Sequence, residues 1–390
     1  MSKLLLFTPG PVNVADNVRT AIAGADICHR EIEFERVFRR IETRLLQLFE
    51  IRNPEDYQAV VITGSGSAAN EAMLSSVVGD QTILVLSNGE FGERLHATSE
   101  IHNEHTMHLR FPWGSPLDLG VIDEHLRQNP VDVLAVVHHE TSSGMLNPLG
   151  AIGQLATSHR VMLLVDCVSS AGAESIDMER DNIAFCSASS SKAIGAYPGL
   201  SMVIGRVDEF EKLATARART SYLNLHTFFT FARERSQTPN TPAVPLFHAL
   251  DKALGNILVE TVAGRRAATR RRAMRLRTGM RALGLTFLLE LDEMSSVLTT
   301  VCLPSGVDIE RLRTELRQQS IIIYEGKGPL RGTVFQVGCI GEISEDEVRT
   351  FLRSLEGVLS RARLEDTLPL AGSLPQVPEA RTDRPAVATA

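Results

Sequence analysis

A large domain built on a mainly parallel β-sheet covered by helices on both faces, followed by a smaller α/β domain, is the architecture this 390-residue sequence predicts. Two observations carry it. Between residues 58 and 206, short runs rich in Val, Ile and Leu recur between helical patterns: AVVIT (59–63), TILVLS (82–87), VLAVVHH (133–139), VMLLVD (161–166), AFCSAS (184–189) and SMVIG (201–205). Strands buried on both faces read as such near-continuous apolar runs, and helices between them are the crossovers of a parallel sheet. After a long helical pattern over 247–283, the stretches SSVLTTVCLPSGVDIERLRTELRQQSIIIYEG and TVFQVGCIGEISEDEVRTFLRSLEGVLS each read as a strand followed by a helix. That is a second, smaller unit.

The divisions that follow are an N-terminal segment over 1–20 that joins the small domain, a large ligand-binding domain over 21–260, a small C-terminal domain over 261–363, and a disordered tail over 364–390, where Pro, Ala and Thr dominate without periodicity. Composition, 43% hydrophobic and 22% charged, is ordinary for a globular chain. The net charge of -7 gives no reason to expect a polyanionic partner, and no apolar run approaches the roughly 20 residues of a membrane span. The opening MSKLLLFTPGP has too short an apolar stretch for a secretory signal, so the expected location is the cytoplasm. The cysteines, Cys28, Cys167, Cys186, Cys302 and Cys339, form no CxxC pair and read as buried reduced thiols, not as a metal site. The arginines of the 247–283 pattern, from Arg265 to Arg281, lack interleaved aromatics and read as a solvated helix face, so no nucleic-acid partner is expected.

Ligands on parallel sheets sit at the carboxyl ends of the strands. Here those ends carry TGSGSAAN, SNGEFGER, HETSSGMLNP, DCVSSAG and SSSKAIGAYPG, all rich in Gly, Ser, Thr and charge. The chain has only five lysines, Lys3, Lys192, Lys212, Lys252 and Lys327. Lys3 is terminal, and Lys212 and Lys252 lie in helical patterns beside acids. Lys192 follows a strand and a run of serines, where its stem can rise into a pocket as an imine-forming nucleophile; a surface loop lysine is the plain alternative. Asp166 closes the run VMLLVD, 26 residues before Lys192. A carboxylate there can pair with a protonated pyridine nitrogen, though it would also serve as a magnesium ligand or a helix cap. Gly64-Ser65-Gly66-Ser67-Ala68-Ala69-Asn70 forms a glycine-rich turn before an Ala-rich helix, suited to a phosphate dianion but lacking the lysine of a P-loop.

In this order these features resemble the class V aminotransferases, and within that class they are similar to the 2-aminoethylphosphonate–pyruvate transaminases. The likeness covers most of residues 4–360. It is carried by FTPGPVNV (7–14), DICHREIEF (26–34), TGSGSAANEA (63–72), SNGEFGER (87–94), HHETSSGMLNPL (138–149), VDCVSSAGAESID (165–177), SSSKAIGAYPG (189–199), QTPNTP (237–242) and IIIYEGKGPLRGTVFQVGCIG (321–341). The resemblance implies fold type I, with a mainly parallel seven-stranded sheet, and pyridoxal 5′-phosphate as cofactor. It implies that Lys192 holds the cofactor and shuttles the proton, and that Ser65, Gly66, Ser67 and Ser191 hold the phosphate. Phe91 would stack on the ring, Thr141 would bond the ring hydroxyl, Asp166 the ring nitrogen, and Thr241 the phosphate of the neighbouring subunit, which makes the expected partner a second copy of the chain.

One position departs from the pattern. Where these transaminases carry an arginine that forks onto the substrate carboxylate, this chain has Gln336. A neutral amide cannot replace a bidentate guanidinium. Either another cation, such as Arg331, Lys327 or Arg30, holds the carboxylate, or the substrate lacks one there, or the chemistry ends as a lyase (elimination, decarboxylation or C–C cleavage). The implied activity is amino transfer between a small amine or amino acid, 2-aminoethylphosphonate among them, and a keto acid such as pyruvate, with the lyase as the alternative.

Overall fold

In the computed structural model, which describes residues 3–367, seven strands form the large sheet: β1 (Tyr57–Thr63), β2 (Ile83–Ser87), β3 (Thr106–Arg110), β4 (Val133–Val137), β5 (Met162–Asp166), β6 (Ile183–Ser189) and β7 (Leu200–Arg206). Their order across the sheet is β1-β7-β6-β5-β4-β2-β3. Only β7 runs against the others, pairing Leu200 with Thr63 of β1 and Ser201 with Ser189 of β6. The carboxyl ends of β1, β2, β4, β5 and β6 therefore share one edge, and the register sets Val137 beside Asp166 and Asp166 beside Ser187. The expected fold class holds.

Every residue of β2, β4 and β6 is buried, as continuous apolar runs require. The exception is β3, Thr-Met-His-Leu-Arg, half-buried at the sheet edge. A strand with one open side needs no continuous apolar run, so the apolar pattern yields six strands where the sheet has seven. The helix α1 (Ile32–Leu48) turns Phe34, Val37, Phe38, Ile41, Leu45 and Leu48 inward, the three- and four-residue spacing of a helix with one apolar face. Helices α2 (Gly66–Val77) and α3 (Glu90–His102) start directly after β1 and β2, so their N-termini point at the shared edge.

A second core lies around β8 (Leu298–Cys302), β9 (Tyr324–Glu325) and β10 (Val334–Gly338), an antiparallel sheet in the order β8-β10-β9. Leu276, Met280, Leu312, Leu316, Phe335, Phe351 and Leu355 fill it. The N-terminal segment belongs to this core: Leu5–Leu6 pairs with Ile321–Ile322, and Phe7 stacks on Phe351 with ring centroids 4.5 Å apart.

Three details differ from expectation. The helical pattern over 247–283 is two helices, Val244–Glu260 and Val262–Ala282, broken at Thr261, whose φ of 63° interrupts the helix while its hydroxyl caps Gly264 N at 3.0 Å. The arginines of the second helix are largely tied to the protein itself: Arg265 to Glu260, Arg266 to Glu50, Arg275 to Glu345, and Arg277, buried, to the Ser295 and Leu298 carbonyls and Thr299 Oγ1. Of the cysteines, Cys167, Cys186 and Cys339 are buried, but Cys28 is exposed in the loop before α1 and Cys302 is half-buried at a strand end. The last helix runs Glu345–Thr367, through the first residues of the expected tail; residues 368–390 lie outside the described residues.

Phe351 is fully buried against Phe7, so Phe351→Ala leaves a cavity in the small core and is expected to lower unfolding stability by about 3–5 kcal/mol. Urea denaturation followed by circular dichroism measures this, and an unchanged midpoint would contradict the packing described.

Candidate active site at the carboxyl edge of the large sheet

The turn after β6 is stapled from within. Ser190 Oγ donates to the carbonyls of Tyr197 at 2.6 Å and Leu200 at 2.9 Å, and Ser190 O accepts from Ala196 N at 2.9 Å. Lys192 leaves this rigid turn, and its Nζ donates to Pro9 O at 2.9 Å. Gly10 lies against its stem: a Cβ there would stand 2.5 Å from Lys192 Cδ, and the glycine has φ +130°, so a side chain is excluded twice. Burial pushes the Lys192 ammonium down to about 8; the charge of Lys327 adds to this and that of Asp166 opposes it. A lysine so placed is partly neutral near physiological pH, which a nucleophilic amine requires.

Asp166 is buried at the end of β5. Its Oδ2 accepts from Asn70 Nδ2 at 2.6 Å, and its Oδ1 accepts from Val168 N at 2.8 Å and Ser187 Oγ at 3.5 Å. Ser187 Oγ also donates to Asn70 Oδ1 at 2.6 Å, which fixes the amide's orientation. Burial raises the Asp166 pKa, and the bonds from Val168 and Asn70 pull it back. The carboxylate is aimed at a cleft that it lines with Ser67, Asn70, Phe91 and Arg94.

Between these groups lies the turn Gly64–Ser67. Ser65 is the N-cap of α2 but its side chain makes no capping bond, which leaves its hydroxyl and the first N–H groups of the helix directed outward. Gly66 is required here, because a Cβ would lie 2.7 Å from Val168 Cγ1 in the loop that follows Asp166. Ser67 Oγ accepts from Arg94 Nη2 at 3.1 Å, and Ser191 Oγ pairs with Ser189 Oγ at 3.0 Å. Exposed hydroxyls, free helix N–H groups and a nearby guanidinium are a donor set suited to a phosphate.

Phe91 is held by a residue to which sequence reasoning assigned no role. Glu140 is buried and takes four hydrogen bonds: from Phe91 N at 3.2 Å, Gly92 N at 3.0 Å, Ser142 N at 3.2 Å and Ser142 Oγ at 2.5 Å. Burial raises its pKa while these bonds oppose the rise, and the N-terminus of α3 favours its charge. Gly89 must lack a side chain because its Cβ would meet Glu140 Cδ at 2.5 Å. Two neighbouring histidines are excluded as bases at neutral pH: burial pushes both His138 and His139 down to about 3, and each bonds a serine, Ser170 and Ser295 respectively.

Thr141, also buried, donates from Oγ1 to Ser169 Oγ at 2.8 Å. Gln336 reaches this loop from β10 of the small domain, but its Nε2 donates to Thr141 O and Ser142 O, both at 2.9 Å, so both amide protons are engaged with backbone. It braces the loop. The two arginines considered beside it are engaged elsewhere. Arg331 is 75% exposed and paired with Glu325 at 3.0 Å. Arg30 donates to Thr238 O and Pro239 O at 2.7 Å and to Gln237 Oε1 at 3.1 Å, tethering the segment that leads to Thr241. Thr241 itself is exposed. The structure thus gathers Ser65, Gly66, Ser67, Phe91, Thr141, Asp166, Ser191 and Lys192 at one edge and adds Asn70, Glu140, Arg94 and Pro9, while Arg30 and Arg331 are engaged with partners of their own.

The lowered Lys192 pKa is directly testable. In the protein freed of small molecules, labelling by acetic anhydride, read by peptide mass spectrometry, is expected to reach half its maximal rate at Lys192 near pH 8, against about 10.4 for the lysine side chain of a model peptide. Coincident profiles would refute the electrostatic description.

The sequence profile of the aminotransferase class-V family matches residues 19–331. A 2-aminoethylphosphonate–pyruvate transaminase of Klebsiella pneumoniae is 31% identical over 368 residues, covering 91% of this chain and 97% of that protein. An uncharacterized aminotransferase of Methanocaldococcus jannaschii is 29% identical over 93% of this chain and 94% of its own length. Among solved structures, the alanine–glyoxylate aminotransferase of Nostoc sp. superposes with a TM-score of 0.87 at 28% identity, over 92% of this chain and 96% of that one.

Proposed function

The chain belongs to the aminotransferase class-V family, and from that premise we propose that it moves an amino group between a small amine or amino acid and a keto acid, with 2-aminoethylphosphonate and pyruvate as the first pair to test. The observation that carries this reading is the pairing of a lysine whose ammonium is pushed down to about 8 with a buried carboxylate on the adjacent strand edge, around a turn built for phosphate. The residues fit pyridoxal 5′-phosphate by their chemistry: a nucleophilic amine, an anion without a contacting cation, and a helix N-terminus with free hydroxyls. When bound, that cofactor supplies an electron sink for negative charge at the substrate α-carbon.

Each residue then has a task. Lys192 would hold the cofactor and move the proton at the substrate α-carbon; its lowered pKa keeps a neutral amine available for both. Asp166, oriented by Asn70, Val168 N and Ser187, holds the proton on the ring nitrogen. Phe91 would cover the ring face, with Glu140 fixing its backbone. Ser65, Gly66, Ser67 and Ser191 take the phosphate, and Thr141 the ring hydroxyl. Thr241, tethered through Arg30, reaches the phosphate of a second copy, so the working unit is a homodimer with shared sites. We place it in the cytoplasm; no helix among the described residues is long and apolar enough to cross a membrane. The lyase alternative took its weight from Gln336 as a substrate ligand. As a brace on the Thr141–Ser142 backbone, Gln336 leaves open which cation holds the substrate and gives no ground for a different reaction.

With pyridoxal 5′-phosphate, 2-aminoethylphosphonate and pyruvate, the enzyme is expected to form alanine without releasing ammonia; ammonia without alanine would overturn the reading. Lys192→Ala is expected to lose the visible absorbance of the lysine-bound cofactor. Asp166→Asn should keep that absorbance but lose about 100-fold or more in kcat, about 2.7 kcal/mol of barrier.

A further inference from the structure

A keto acid or amino acid brings a negative charge into the site, and a cation in contact gives such an anion its strongest hydrogen bonds. Several candidates are excluded by their own partners. Arg277 is buried against the carbonyls of Ser295 and Leu298, Arg30 holds the 237–239 backbone, Arg331 pairs with Glu325 in solvent, and Arg94 turns toward Ser67 on the phosphate side. Arg94 also lies over the Phe91 ring, its Cζ 5.4 Å from the centroid, but it is bonded to Ser67, whereas Lys327 reaches the same ring from the small domain. Its Nζ lies 5.0 Å from the centroid of the Phe91 ring, and its charge is felt at Lys192. Its bonded partner is Glu90, at 3.4 Å, a long pair at a half-exposed position. The two ammonium groups repel, and an anion held between them would relieve that repulsion.

The backbone of Lys327 is fixed as a binding residue requires. Gly326 N donates to Val334 O at 3.0 Å, and Lys327 O accepts from Leu330 N at 2.9 Å. On either side, a Cβ at Gly326 would meet Leu330 O, and one at Gly328 would lie 2.6 Å from Trp113 Cη2. Trp113 is anchored in turn by its Nε1 bond to Glu93 at 3.1 Å. The small domain thus delivers one cation, on a short rigid loop, to the face of Phe91.

We propose that Lys327 is the substrate-anion receptor of this active site, taking the acidic group of the amino or keto acid beside Phe91 in exchange for its pair with Glu90. The proposal rests on the aminotransferase reading above. It makes Lys327 a specificity-determining residue and Glu90 its intramolecular competitor, displaced whenever substrate binds.

The test measures binding, not turnover. Propionate and methylphosphonate, which carry the two candidate acid groups but no amine or carbonyl, are titrated into the cofactor-loaded enzyme by calorimetry and by the shift of its visible band. Lys327→Met is expected to weaken one of them about tenfold or more, the usual scale for a lost charge-assisted bond. Lys327→Arg should recover most of the loss, and Glu90→Gln should tighten binding severalfold by freeing the ammonium. Loss confined to propionate assigns the carboxylate, and loss confined to methylphosphonate assigns the phosphonate. Lys327→Met binding both as tightly as wild type, at an unchanged melting temperature, overturns the proposal; so does a loss that Lys327→Arg does not restore. If the wild-type protein shows no visible band, the aminotransferase reading itself fails, which is a different result.

Discussion

The carboxylate of Asp166 is the constraint from which the site follows. Desolvating a charge costs several kcal/mol, and its direct contacts, Asn70, Val168 N and Ser187, are neutral. Its pKa rises accordingly. A valine at the end of β5 would pack without that cost, so the position makes physical sense when a positive ring nitrogen completes it. Burial from both sides needs a central strand, which β5 is, between β4 and β6. The contacts that orient the carboxylate need α2 to start just behind it, and that start is the phosphate turn. On the proposed reading, ring nitrogen and phosphate would be served by one strand end and one helix end in contact through Gly66 and Val168.

Much of this is legible in the chain because it is local. Apolar runs mark strands that are covered on both sides, and whatever follows a parallel strand falls on the functional edge, so Asp166, Lys192 and the Gly64–Ser67 turn can be found without a structure. The seventh strand escapes the pattern because Thr106–Arg110 sits at an edge, half-buried and half-polar. Thr261 escapes it because a β-branched residue with positive φ is not expected between two helical stretches. What sequence cannot supply is who meets whom across the fold. Asn70 and Glu140 stand in quoted motifs, yet their roles depend on partners 96 and 49 positions away. Gln336 draws notice for the charge it lacks, whereas its placement turns on two amide protons and two carbonyls. Arg30, Arg331 and Lys327 look equivalent as cations; tertiary contacts alone separate two that are engaged from one that faces Phe91.

Among the contacts that join the two domains, four stand at the site. Gln336 ties β10 to the Thr141 loop, His139 shares a hydrogen bond with Ser295, Gly328 rests on Trp113, and Lys327 pairs with Glu90. All fall near the cofactor cleft, so a shift of the small domain is felt where substrate binds. The first two are buried and fix the loop; the last is half-exposed and exchangeable, which is the division expected of a scaffold that stays and a contact that moves.

The N-terminal strand has a further consequence, for biosynthesis. Leu5 and Leu6 pair with Ile321 and Ile322, Phe7 stacks on Phe351, and two residues later Pro9 offers its carbonyl to Lys192. Segments translated at the beginning and near the end must therefore meet before the lysine acquires its surroundings. Until they do, Lys192 lacks the Pro9 carbonyl that its Nζ bonds in the folded protein. Loop closure over more than three hundred residues is slow relative to local folding. The surroundings of Lys192 are thus completed by a contact between the two ends of the described fold, not by the large sheet alone.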